Sequence, residues 1–150
     1  MNGDHIILTK LTGSIYRSTQ VYTNEVLKKY ELGSGAYPYL LTLYHNDGIN
    51  QNQISKELDV DKAMSARIIK KLITIGYVRK EADQEDSRAC KLYLTDKAKS
   101  IIPAVKAELF HWNEIMTKSL SSEQKIELVN ILNIVLKDIK NYRNHQKVEG

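Results

Sequence analysis

Cysteine is almost missing from this chain: its 150 residues include one, Cys90. An intramolecular disulfide and a cysteine-based zinc knuckle are therefore excluded. No apolar run approaches the roughly 20 residues of a membrane helix, and stretches such as Ile131 to Leu136 are broken within a turn or two. The opening Met1-Asn2-Gly3-Asp4-His5 has neither the basic head nor the apolar stretch of a secretory signal. The chain reads as cytoplasmic. It also lacks a Gly-rich phosphate loop and a Gly-x-Ser-x-Gly elbow, and its carboxylates fall mostly on polar helix faces, so an enzyme is not expected. His5, His45, His111 and His145 are scattered. Only Glu108 and His111, one helical turn apart, could share a face with a metal, and no second ligand pair has suitable spacing. No metal and no cofactor is expected.

The two prolines, Pro38 and Pro103, and seven glycines leave room for long helices. Apolar residues recur at three- and four-residue steps from Ile6 to Leu32, the pattern of an amphipathic helix. Leu32-Gly33-Ser34-Gly35 interrupts it. Pro38 suits the first turn of a second helix reaching about His45, with Leu40, Leu41 and Tyr44 inward. After the turn signature Asn46-Asp47-Gly48, Asn50 caps a short helix from Gln51 to Leu58. Asp61 caps the next, from Lys62 to Ile75, which buries Ile69, Leu72 and part of Ile68 or Ile73. Gly76 ends it. Tyr77 to Lys80 and Cys90 to Leu94 read as strands joined by a polar loop from Glu81 to Ser87. Thr95 caps a long helix running through Trp112, which Pro103 can bend. Ser121 and Gln124 have the spacing of a capping box that starts the last helix, with Leu128, Ile131, Leu132, Val135, Ile139 and Tyr142 along one stripe.

The net charge of +4 is modest, but its distribution is not: six cations and no acid lie between Lys62 and Lys80. Two short helices joined by a tight turn, the second basic and followed at once by a hairpin, form a winged helix-turn-helix. The expected fold is mainly α with a small β-hairpin wing, flanked by long dimerisation helices. The second helix presents Lys62, Met64, Ser65, Arg67, Lys70 and Lys71 away from its Ile69/Leu72 face. Such a helix fits the DNA major groove, where Arg and Lys donate to guanine edges. Gln51, Gln53 and Lys56 add backbone contacts. Arg88, just past the hairpin tip, is placed for phosphates or the minor groove, with Asp86 to orient its guanidinium.

From Gly35-Ala36-Tyr37-Pro38-Tyr39-Leu40 through Thr95 the chain resembles the MarR family of bacterial winged-helix repressors. The matching pieces are Ile54-Ser55-Lys56-Glu57-Leu58, Val60-Asp61-Lys62, Ile69-Lys70-Lys71-Leu72, Gly76-Tyr77-Val78, Asp86-Ser87-Arg88 and Leu94-Thr95. The Asp-x-Arg wing followed by a strand ending in Leu-Thr is the most specific of them. Ala98 departs from the family pattern, which often has Gly there. The resemblance implies a single domain over 1–150, with the winged core at about 34–95 and dimerisation helices at about 4–32 and 96–145. It implies a homodimeric repressor of a pseudo-palindromic operator in double-stranded DNA, with Arg88 entering the minor groove, Asp86 supporting it, and Lys62, Met64 and Arg67 at recognition positions. It also implies release by a small aromatic effector in a crevice bordered by helices that carry Tyr16, Tyr37, Tyr39, Tyr44 and Trp112.

Two other readings compete. A thiol- or metal-responsive regulator would use Cys90 or the Glu108/His111 pair, yet Cys90 lies in a wing strand and has no second cysteine to resolve a sulfenic acid. A winged-helix protein-interaction module would keep the fold without reading DNA.

Overall fold

The structure, a computed structural model, describes residues 4–86 and 88–149. Residues 1–3, Ser87 and Gly150 lie outside it, and with them the middle of the Asp86-Ser87-Arg88 motif. Helices α1 (Asp4–Val26), α2 (Tyr37–His45), α3 (Gln51–Glu57) and α4 (Lys62–Thr74) precede strands β1 (Val78–Ala82) and β2 (Cys90–Leu94), followed by α5 (Asp96–Met116) and α6 (Ser122–Glu149). Residues 1–112 and 113–150 form two compact units.

In the first unit, helix α1 stops at Val26, short of the expected Leu32. A one-turn 3₁₀ helix, Lys28–Tyr30, follows, and Glu31 takes a left-handed conformation (φ 58°). The physical reason is that Leu27 and Leu32 are both buried, a five-residue spacing that one straight helix cannot turn to the same side. The tighter turn brings Leu32 N–H back to the Leu27 carbonyl at 3.3 Å.

Around that corner Tyr39, Leu40, Leu43, Ile54, Ile69, Leu72, Leu92, Ala98, Ile102 and Val105 close the core. Tyr44 is not among them. It is exposed, and the Lys106 ammonium lies 4.3 Å from its ring centroid. Leu43, one residue earlier, takes the inward position. Leu58 is only partly buried because α3 ends at Glu57. Ala98 is wholly buried, so the methyl that departs from the family pattern is accommodated.

The hairpin is antiparallel, pairing Val78 with Leu94 and Ala82 with Cys90. Strand β1 therefore takes in Glu81 and Ala82, expected in the loop, since pairing continues as far as a partner is opposite. Beyond it, Asp83 N–H still reaches the Ala89 carbonyl at 3.0 Å. Gly48 and Ile49 bond to Leu92 on the other edge of β2. A Cβ on Gly48 would meet the Tyr93 hydroxyl at 3.2 Å, and its φ of +85° is a second reason for glycine there.

In the second unit, Ser121 and Gln124 form the expected capping box: Gln124 N–H donates to Ser121 Oγ at 3.1 Å and Ser121 N–H to Gln124 Oε1 at 2.9 Å. Beside the expected stripe of α6, Ile126, Val129, Ile134 and Leu136 are also exposed. At about 100° per residue these apolar positions cover more than half of the helix circumference.

Candidate nucleic-acid interface

Two capped helices and a turn position the basic face. Asn50 and Gln53 close a capping box on α3, with Gln53 N–H to Asn50 Oδ1 and Asn50 N–H to Gln53 Oε1 both at 2.8 Å. Asp59, left-handed at φ 55°, reverses the chain. Asp61 then starts α4, its Oδ1 accepting Met64 N–H at 2.8 Å. Lys62 follows in the first turn, where the helix dipole disfavours a cation and the Asp61 carboxylate at the cap offsets it.

Lys62, Met64, Arg67, Lys70 and Lys71 are all exposed on α4. Ser65 is not. It is fully buried, and its Oγ lies 2.8 Å from the Tyr39 hydroxyl. The expectation that Ser65 faces DNA is overturned because Ser65, Ile69 and Leu72 fall at i, i+4 and i+7, one face of the helix. That spacing was visible in the sequence and was masked by the polarity of serine. Exposed Ala63 and Ala66, missed in the sequence reading, lie on the outward face with Arg67 and Lys70. Such small side chains leave backbone and long neighbours free to approach a surface. On α3, Gln53 and Lys56 are exposed while Gln51 is partly buried.

On the wing, Asp86 and Arg88 are exposed. Asp86 acts on the backbone: its Oδ1 accepts Arg88 N–H at 3.0 Å, and its carbonyl accepts Ala89 N–H at 3.1 Å. Among the described residues no ion pair joins its carboxylate to the Arg88 guanidinium, so Asp86 shapes the turn and leaves the cation free. Arg79 is engaged differently, paired with Glu81 and lying 4.5 Å over the Tyr93 ring. Lys80 and Lys91 are further exposed cations on the strands.

Of the five aromatic residues expected at one crevice, Tyr16 and Tyr37 are neighbours, while Tyr39 and Tyr44 face different surroundings. Tyr39 belongs to the core with Ser65, and Tyr44 is exposed beside Lys106. Tyr16 is exposed. Tyr37 is half-buried, and its pKa is raised by desolvation and by the neighbouring Tyr16. Trp112 stacks on Tyr22 with ring centroids 4.7 Å apart, and its indole N–H donates to Thr19 Oγ1 at 2.9 Å. Glu108 Oε2 accepts the Tyr22 hydroxyl at 3.0 Å. Partial burial first, then the bond to Glu108 and its charge, raises the Tyr22 pKa. Cys90 is free and exposed at the start of β2. Among the described residues no group of three or more His, Cys, Asp or Glu is arranged for a metal, and no helix is long and apolar enough to cross a membrane.

The chain thus carries a helix-turn-helix with a basic outer face, followed by a hairpin wing. A family model described as MarR family matches residues 34–90. BilQ of Clostridioides difficile (strain CD3), an HTH-type transcriptional regulator, is 34% identical over 133 residues, covering 89% of each chain. This chain belongs to the MarR family. YybA of Bacillus subtilis (strain 168), also an HTH-type transcriptional regulator, is 33% identical over 128 residues, 85% of each chain. A MarR transcriptional regulator from Methanosarcina mazei Go1 superposes with a TM-score of 0.86 at 36% identity, covering 90% of this chain and 97% of that one. This MarR-family chain is a winged-helix, DNA-binding transcriptional regulator.

Proposed function

We propose that this regulator is a homodimeric repressor that reads a pseudo-palindromic operator, with α4 in the major groove and the wing at the adjacent minor groove. The exposed face of α4 carries the reading: Lys62, Met64, Arg67, Lys70 and Lys71 project from a 13-residue helix with no acid in it. In this reading Lys62 and Arg67 meet base edges. Lys70, Lys71, Gln51, Gln53 and Lys56 meet phosphates, and Arg88 reads minor-groove shape. Dimerisation is supported by apolar surface that a lone chain leaves wet. Leu8, Leu11 and Ile15 on α1 are each more than half exposed, and α6 adds Leu128, Ile131, Leu132, Val135 and Ile139.

Selection from random duplex DNA at about 150 mM salt, where non-specific phosphate binding is weakened, tests this. Enrichment of an inverted repeat with half-sites about one helical turn apart supports it. Weak, salt-sensitive binding with no enriched sequence counts against it and leaves two readings, a bound effector that holds the dimer closed to DNA or a protein-interaction module.

A groove of about 520 Å³ favours a ligand-responsive regulator as a second reading. Arg17, Ser18, Val21, Tyr22, Glu25 and Trp112 line it. A small aromatic carboxylate would lay its ring against the Tyr22–Trp112 stack and turn its charge toward Arg17. Trp112 is the single tryptophan, so its fluorescence reports the site directly. Saturable quenching by benzoate, weakened in Arg17→Ala, is the expected result; linear quenching unaffected by the substitution overturns it.

A further inference from the structure

The Tyr39–Ser65 hydrogen bond lies beneath the basic face and is not part of it. Tyr39 is on α2, Ser65 is in the second turn of α4, and both are essentially without solvent access, at 1% and 0%. Their hydroxyl oxygens are 2.8 Å apart across 26 residues of sequence. Beside Ser65 the inner face of α4 is apolar, Ile69 and Leu72, while other directional ties to neighbouring elements lie at its far end, where Thr95 and Lys97 reach the Gly76 and Ile75 carbonyls. A hydrogen bond between buried hydroxyls is directional, and a shift that opens it leaves two polar groups in a dry core.

Ser65 stands one residue after Met64 and two before Arg67, so it shares its helical turn with the residues that face outward. A rotation of α4 large enough to break the bond swings those side chains by the same angle. A translation moves them by the same distance.

We propose that Tyr39 and Ser65 are positioning residues that set the rotation and axial register of α4, and thereby its discrimination between base sequences. The proposal rests on the reading of α4 as the recognition helix. It assigns the pair to specificity more than to overall attraction for DNA, because phosphate contacts made by mobile lysines survive a small helix rotation while base-edge geometry does not.

The test uses full-length Tyr39→Phe, Ser65→Ala and the double variant. Each is assayed on the enriched duplex and on an unrelated duplex of equal length in the same salt, with thermal melting alongside. The expected result for each single variant is about a tenfold loss on the enriched duplex and less than about a twofold change on the unrelated one, the loss that a disturbed base contact produces. The double variant is expected to be no weaker than the weaker single, because both changes remove one interaction. Amide shifts of Met64 to Arg67 in Tyr39→Phe, with the melting transition still cooperative, report the helix movement without DNA. Equal binding of the enriched duplex by Tyr39→Phe and the unaltered protein overturns the proposal. So does a loss on both duplexes in proportion to lost stability, which marks a merely structural bond. If the unaltered protein enriches no duplex, the recognition-helix reading falls first, and this inference with it.

Discussion

The Thr95 hydroxyl donates to the Gly76 carbonyl at 2.6 Å, tying the residue that ends α4 to the residue that starts α5. The same oxygen accepts Ala98 N–H at 3.2 Å, and Thr95 N–H reaches the Tyr77 carbonyl at 3.1 Å. One side chain therefore closes the base of the wing, caps a long helix and anchors the last turn of the basic one. Thr95→Ala should lower stability by about 1–3 kcal/mol, combining a lost cap with an unpaired carbonyl. Thr95→Ser, which keeps the hydroxyl, should lose less than about 1 kcal/mol. Denaturant melts of the two variants separate the hydroxyl from the methyl; equal losses would assign the effect to packing.

Asp61 has one visible task, accepting Met64 N–H at the start of α4. Asp61→Ala should cost about 1 kcal/mol and Asp61→Asn much less, since Asn also caps well. Thermal melts check this. An equal loss in both variants would mean that the negative charge matters more than the acceptor.

Arg67 and Arg88 carry the proposed base and groove contacts. Replacing either with Ala should weaken binding to the selected duplex by about 1–3 kcal/mol. Lys70→Ala should weaken all duplexes alike and reduce the slope of log affinity against log salt by about 1. Titrations at several salt concentrations distinguish these classes, and unchanged affinity in both arginine variants would remove the assignment.

Gly48 and Gly76 both have positive φ, at +85° and +88°, but different surroundings. A Cβ on Gly76 meets only the flexible Lys97 side chain at 3.7 Å, whereas on Gly48 it presses the Tyr93 hydroxyl at 3.2 Å. Gly76→Ala should cost about 1–2 kcal/mol of backbone strain. Gly48→Ala should cost more, because Tyr93 lies under Arg79 and has to move. Comparing the two melting curves tests the ranking.

Alkaline pH should destabilise the first unit through its tyrosines. Burial, with the Glu31 charge behind it, raises the pKa of Tyr77, whose hydroxyl donates to the Tyr30 carbonyl at 2.8 Å. Burial also raises Tyr37. A pKa higher in the folded state means that the folded protein holds these protons more tightly. The stabilisation is therefore complete below the ordinary tyrosine pKa near 10 and is lost as pH rises through the folded values. Stability should be flat in this respect below about pH 9 and fall above 10, and Tyr77→Phe should flatten that fall. Denaturant melts from pH 8 to 11 measure it.

The element order, the caps at Asn50, Asp61, Thr95 and Ser121, and the stop at Gly76 were determined by the sequence alone. Each depends on residues three or four positions apart, so local chemistry suffices to specify it. The same holds for the exposed cations of α4, whose only requirement is to lie off the Ile69/Leu72 face. What the tertiary structure decided concerns partners far away in the chain. Ser65 lies on the Ile69/Leu72 face by its spacing, but its buried hydrogen-bond partner, the Tyr39 hydroxyl, comes from 26 residues earlier. Tyr22 and Trp112 met Glu108 and Thr19 across 86 and 93 residues. Helix α1 ended early because Leu27 and Leu32 share one core, and Tyr44 turned outward because Leu43 filled the space. A polar or aromatic residue at helical spacing suits either environment, and only the atoms that arrive opposite it determine which face it takes.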